Sequence, residues 1–156
     1  MSNFQIKALP ADEFVDFFNM DDIDLEKIGA KRMKVDKKPG YPCRISLQDA
    51  ESGEEVILLP YQHHKTNSPY QSSGPIYIRK NAVTAKPGIN EIPKMLNHRL
   101  LSLRAYNSQG MMKHATVSEG VDLLEALHAI FAAEEISYVH IHNAKAGCYN
   151  CMVERA

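Results

Sequence analysis

No run of the chain approaches the ~20 consecutive apolar residues of a membrane-spanning helix. Charge of one sign is lacking too. Lysine and arginine number 18 against 19 aspartates and glutamates, a net charge of −1, and the pI is near 6.6. That balance leaves no electrostatic footprint for a nucleic-acid backbone. Neither G-x-G-x-x-G nor G-x-x-x-x-G-K-[ST] occurs, so dinucleotide and P-loop readings have no support. There is no internal repeat and no low-complexity tract. The opening Met1-Ser2-Asn3-Phe4 has neither the basic nor the apolar region of a secretory signal. Cysteine is scarce at three, an odd number, so reduced thiols in a cytoplasmic setting are the expectation.

What is present is an ordinary globular composition: 156 residues, 44% hydrophobic and 24% charged, enough for one domain over residues 1–156 with a core that needs no covalent staples. Phe4 to Leu9 alternates as a strand until Pro10, which opens a short helix over Ala11 to Phe18 with Phe14, Phe17 and Phe18 as its apolar stripe. A second short helix, capped by Asp22 or Asp24, runs to Gly29. Lys31 to Lys38 reads as a basic edge strand. After the Pro39-Gly40-Tyr41-Pro42 turn come strands at Arg44 to Leu47 and at Val56 to Leu59, the latter closed by Pro60. Tyr61 to Gly74 lacks periodicity and reads as the longest loop, with His63 and His64 exposed in it. Pro75 to Arg79 is a strand, and Lys80 to Pro93 is irregular.

Leu100 to Tyr106 alternates and leads through Asn107 to Gly110 into a hairpin partner over Met111 to Val117. Ser118 then caps the longest helix, whose stripe of Val121, Leu124, Leu127, His128 and Phe131 ends near Ala133. This order predicts an α+β fold: a mostly antiparallel sheet, one main helix on a face, and short N-terminal helices.

Chemistry-bearing side chains converge in one stretch, Ser137 to Ala156. Alternation places Tyr138, His140 and His142 on one strand face and Val139 and Ile141 on the other. A turn follows over Asn143 to Gly147, then Cys148, Cys151 and a returning strand from Met152. Several chemistries use these residues. His140, His142, Cys148 and Cys151 supply the four nitrogen and sulfur ligands of a zinc tetrahedron. Cys148 and Cys151 form a C-x-x-C pair, although such a pair before a strand, not a helix, is a poor redox motif. Arg104 with His140, His142 and Asn143 outlines an anion or small-molecule site that needs no metal, with Cys148 as reactive thiol and His142 as acid or base. The competing reading is a non-enzymatic binding or interaction module in which buried cysteines and hydrogen-bonded histidines only close a structured turn.

Four segments carry a resemblance: P-G-Y-P-C-R-I-S-L-Q-D-A (39–50), L-L-P-Y-Q-H-H with S-P-Y-Q-S-S-G-P-I-Y-I-R (58–64 and 68–79), R-L-L-S-L-R-A-Y (99–106) and H-I-H-N-A-K-A-G-C-Y-N-C (140–151). In these the chain resembles an uncharacterised bacterial family, domain of unknown function 1203. The resemblance implies a single-domain soluble protein and carries over no catalytic residue. The family pattern often has proline where this chain has Ala146.

Overall fold

The computed structural model describes residues 2–156. The chain is α+β and mostly strand, in two antiparallel sheets. Its strands are β1 (Phe4–Lys7), β2 (Lys31–Lys34), β3 (Glu55–His64), β4 (Ser72–Arg79), β5 (Leu100–Tyr106), β6 (Met112–Glu119), β7 (Tyr138–Asn143) and β8 (Tyr149–Arg155). The larger sheet has the order β1-β8-β7-β5-β6 and the smaller β2-β3-β4. The α-helices are α1 (Asp22–Lys27) and α2 (Leu123–Phe131).

One face of the larger sheet builds the main core. Leu101, Leu103 and Ala105 of β5 join Val139 and Ile141 of β7, Val153 of β8 and Phe4 and Ile6 of β1, and α2 adds Leu123, Leu127, Ile130 and Phe131. At ~25 cal/mol per Å2 of apolar area, burial on this scale supplies most of the folding drive. The alternation of β5 and β7 is that expected from their sequences, because each residue's neighbours face opposite sides. The helix stripe differs by one step: Val121 and Leu124 are exposed, while Leu123 and Ile130 turn inward. Ser118 is no cap but a residue of β6 opposite Leu101, and a 3-10 turn over Gly120–Asp122 precedes the helix.

Three other expectations change. Ala11 to Phe18 is not an α-helix but two 3-10 turns, Ala11–Glu13 and Val15–Asn19, neither with a side-chain cap. Asp21, not Asp22 or Asp24, caps α1 by accepting from the Asp24 backbone N–H at 2.8 Å. Pro60 does not close β3. The strand runs on to His64, because β2 pairs only as far as Leu58 and Pro60 lies opposite Pro75, so the missing N–H leaves no ladder bond unmade. Half of the expected long loop is therefore strand.

Arg44 to Leu47 is not a strand either. Tyr41 to Ala50 folds back on itself, the Cys43 N–H donating to Gln48 O at 3.0 Å and the Leu47 N–H to Cys43 O at 3.0 Å. This segment is a strut: the Arg44 N–H donates to Tyr77 O of β4 at 3.1 Å, and Arg44 O accepts from the Leu9 N–H at 3.0 Å.

The approach to β5 is set by a close backbone contact. The Gly120 N–H donates to Arg99 O at 2.8 Å, and a Cβ on Gly120 would lie 1.8 Å from Leu96 O. Gly120→Ala should therefore cost about 1–3 kcal/mol by overpacking. Urea unfolding, with the midpoint lowered and the slope unchanged, is the check.

Candidate functional site

The second face of the larger sheet meets β3 through a layer of imidazole and phenol rings. Tyr138, His140 and His142 of β7 point there together, as their alternation requires. β3 brings His63 and His64 against them, with ring centroids 5.0 Å apart for His63–His142 and 4.8 Å for His64–His140. Tyr106 of β5 and Tyr149 of β8 complete the layer. The sequence predicts His63 and His64 exposed in a loop, whereas His64 is 3% exposed and His63 half-buried. Their burial depends on β3 continuing past Pro60.

Hydrogen bonds set the state of two of these rings. His64 Nδ1–H donates to Tyr70 O at 2.8 Å, and Nε2 accepts from the Tyr138 hydroxyl at 2.6 Å. His142 Nδ1–H donates to Gly147 O at 2.9 Å, so its Nε2 is the acceptor facing Arg104 Nη1 at 3.5 Å. His142 thus ties the β7–β8 turn to its own strand. In contrast, the Nδ1 atoms of His63 and His140 are buried without a partner.

The two cysteines after the turn part company at a bulge. Ile141 lies opposite Cys151, yet His142 lies opposite Tyr149, so Asn150 is the extra residue. Tyr149 and Cys151, two apart, consequently face opposite sides. Cys151 enters the main core, and burial pushes its thiol up to about 12. Cys148 stays half-buried at the end of the turn, where Asn143 Nδ2 reaches its Sγ at 3.5 Å. His140, His142, Cys148 and Cys151 are therefore not brought to one point. Among the described residues no group of three or more His, Cys, Asp or Glu is placed to hold a metal ion. All three cysteines are free, and Cys43 is buried in a separate cluster.

Cys148 instead lines a pocket of roughly 400 Å3 on the other side of the turn. Asn143 and Lys145 line it with Cys148, facing Arg44 and Pro42 of the strut and His98 and Arg99 at the approach to β5. Arg44 is 1% exposed. Its Nε donates to Tyr149 O at 2.7 Å and its Nη1 to Pro42 O, both neutral acceptors. Burial pulls the guanidinium below its usual value, and the neighbouring Cys148 acts the other way. Arg99 is paired with Asp49, which also accepts from His98 at 3.0 Å. Burial opposes the Asp49 charge, but Arg99 and His98 outweigh it and hold the carboxyl below its ordinary range. No carboxylate among the described residues lines the pocket. A larger cleft of about 710 Å3 has mixed charge, with Asp49, Glu51 and Glu91 among Lys38, Lys86 and Lys94. Arg44 and Arg99 are not among the residues that the sequence pattern marks. The only signal for Arg44 was one charge set in the apolar run Tyr41-Pro42-Cys43-Arg44-Ile45.

The ring layer makes the fold sensitive to acid. Burial first, then neighbouring histidines and Arg104, lowers His140 from 6.5 to about 3. Burial likewise lowers His63 to about 4 and His142 to about 4. As pH falls through 6.5 the unfolded imidazoles take up protons while the folded ones do not, so the unfolded state gains. Stability is full above 6.5 and is lost progressively toward 4 and then 3, at about 1.4 kcal/mol per pH unit for each group. Urea midpoints between about pH 7 and about pH 5 should fall steadily. His140→Phe, which removes a buried nitrogen without a partner, should fold at neutral pH and flatten that decline.

No helix among the described residues is long and apolar enough to cross a membrane. No curated protein matches the chain, and no solved structure matches it. The family described as Protein of unknown function (DUF1203) matches residues 40–155, and the chain belongs to that family.

Proposed function

We propose that this protein binds a small molecule in the pocket beneath the β7–β8 turn, and that the histidines of β7 shape this site from behind without entering it. The observation that carries the reading is the convergence of Asn143, Lys145 and Cys148 from the turn on Arg44 and Arg99 from distant segments, around one cavity of about 400 Å3. A concave site with a few convergent polar groups is the usual form of a small-molecule pocket. His142 acts by holding the Gly147 carbonyl, and Asn143 by holding both Cys148 and, through its Oδ1 at 2.9 Å, the bulged Asn150. Arg104 steadies His142 and stays out of the pocket.

The reading is of a binding module, and it takes Cys148 as a thiol that ligand would cover. A redox role for the C-x-x-C pair is disfavoured, because Cys151 faces the opposite side with its thiol pushed up to about 12. Iodoacetamide on the folded protein should modify Cys148 alone, since Cys43 and Cys151 are 0% and 1% exposed. Unfolding should release the other two cysteines. Peptide mass mapping gives the site, and a library screened for protection of Cys148 tests the reading. Modification of Cys43 or Cys151 before Cys148, or no protecting compound, would count against it.

A further inference from the structure

The buried charge of Arg44 names the class of ligand. Arg44 is among the largest fully buried side chains, and its two hydrogen bonds go to backbone carbonyls. Carbonyl dipoles satisfy the N–H groups of a guanidinium but do not neutralise it, and a buried cation without a counter-charge is costly. No carboxylate among the described residues stands on the pocket wall to offset it, and the acidic group there that acts on it is the Cys148 thiol. Lys145 adds a second positive charge from the rim, and Asp49 lies behind the wall, engaged with Arg99 and His98. The cavity therefore presents a net positive, partly desolvated surface, where an anion interacts more strongly than in bulk water.

Resting on the reading that this pocket takes a small molecule, we infer that its ligand is a small anion, a carboxylate or a phosphate-type oxyanion, with Arg44 at the base of the site and Lys145 at its mouth. With Nε and Nη1 held by backbone carbonyls, Arg44 offers its Nη2 to an oxyanion of either type, and the exposed ammonium of Lys145 acts as a movable point charge. The β7–β8 turn is the part of the wall best placed to respond to occupancy, because it carries Lys145 and Cys148 on one loop. Gly147, whose φ of +83° suits glycine, gives that loop its bend.

The test uses the alkylation of Cys148 in the full chain as its readout. Iodoacetate and iodoacetamide alkylate a thiol by the same displacement of iodide at a CH2 carbon, are close in size, and differ in charge. The ratio of their rates at Cys148 should exceed the ratio measured for the cysteines of the unfolded chain. Inorganic phosphate and malonate, each at constant ionic strength, should slow the reaction saturably, and the more effective of the two assigns the oxyanion type. Lys145→Glu, an exposed change, should weaken that protection about tenfold, which is roughly 1.4 kcal/mol. Arg44→Met should abolish it where the variant folds. An unfolded-like rate ratio, with no protection by either anion, overturns the inference. If neutral compounds then still protect Cys148, the small-molecule reading stands without it; if none does, both fall.

Discussion

A single buried guanidinium joins the two sheets of this protein. The Arg44 backbone is bonded to β4 and to the segment after β1, while its side chain reaches the Tyr149 carbonyl at the start of β8. One residue thus spans the smaller sheet, the N-terminal segment and the larger sheet. A lysine could not make the same connection, because only a guanidinium presents several donors in a fixed plane. The strut around Arg44 also explains why Tyr41 to Ala50 forsakes a regular strand. Its backbone groups are spent on separate partners on different sides.

The second seam between the sheets is unusual in chemistry. Where leucine or phenylalanine would pack, four histidines and three tyrosines meet ring to ring. Neutral imidazole is close to phenyl in shape, but each nitrogen needs a partner when buried. His64 and His142 find theirs in backbone carbonyls, a tyrosine hydroxyl and Arg104. The Nδ1 atoms of His63 and His140 do not. Burial keeps His63, His140 and His142 uncharged at neutral pH. Its polar bonds also fix the β7–β8 turn, which an apolar layer of the same volume could not do.

The two seams meet at that turn. His142 holds it from the ring layer, Arg44 holds the start of β8, and Asn143 ties it to Cys148 and Asn150. A loop constrained from several sides presents Cys148 and the backbone that carries Lys145 to the pocket with little freedom left to lose on binding. Preorganisation of this kind favours affinity for a small ligand.

Local pattern was enough to determine much of this. The alternation of Leu100 to Tyr106 and of Tyr138 to Ile141 determined β5, β7 and which of their side chains enter the core, because the strand period is two whatever the strand pairs with. The sequence also singled out the C-terminal stretch and Cys148. Only the tertiary structure decided the rest. A bulge at Asn150 sent Cys151 to the core, since register is a property of two strands and not of one. Because β2 pairs with β3 only as far as Leu58, β3 runs on through Pro60 and carries His63 and His64 into the ring layer. Arg44 and Arg99 reached the pocket from segments distant in the chain from Cys148, a convergence that no local period records.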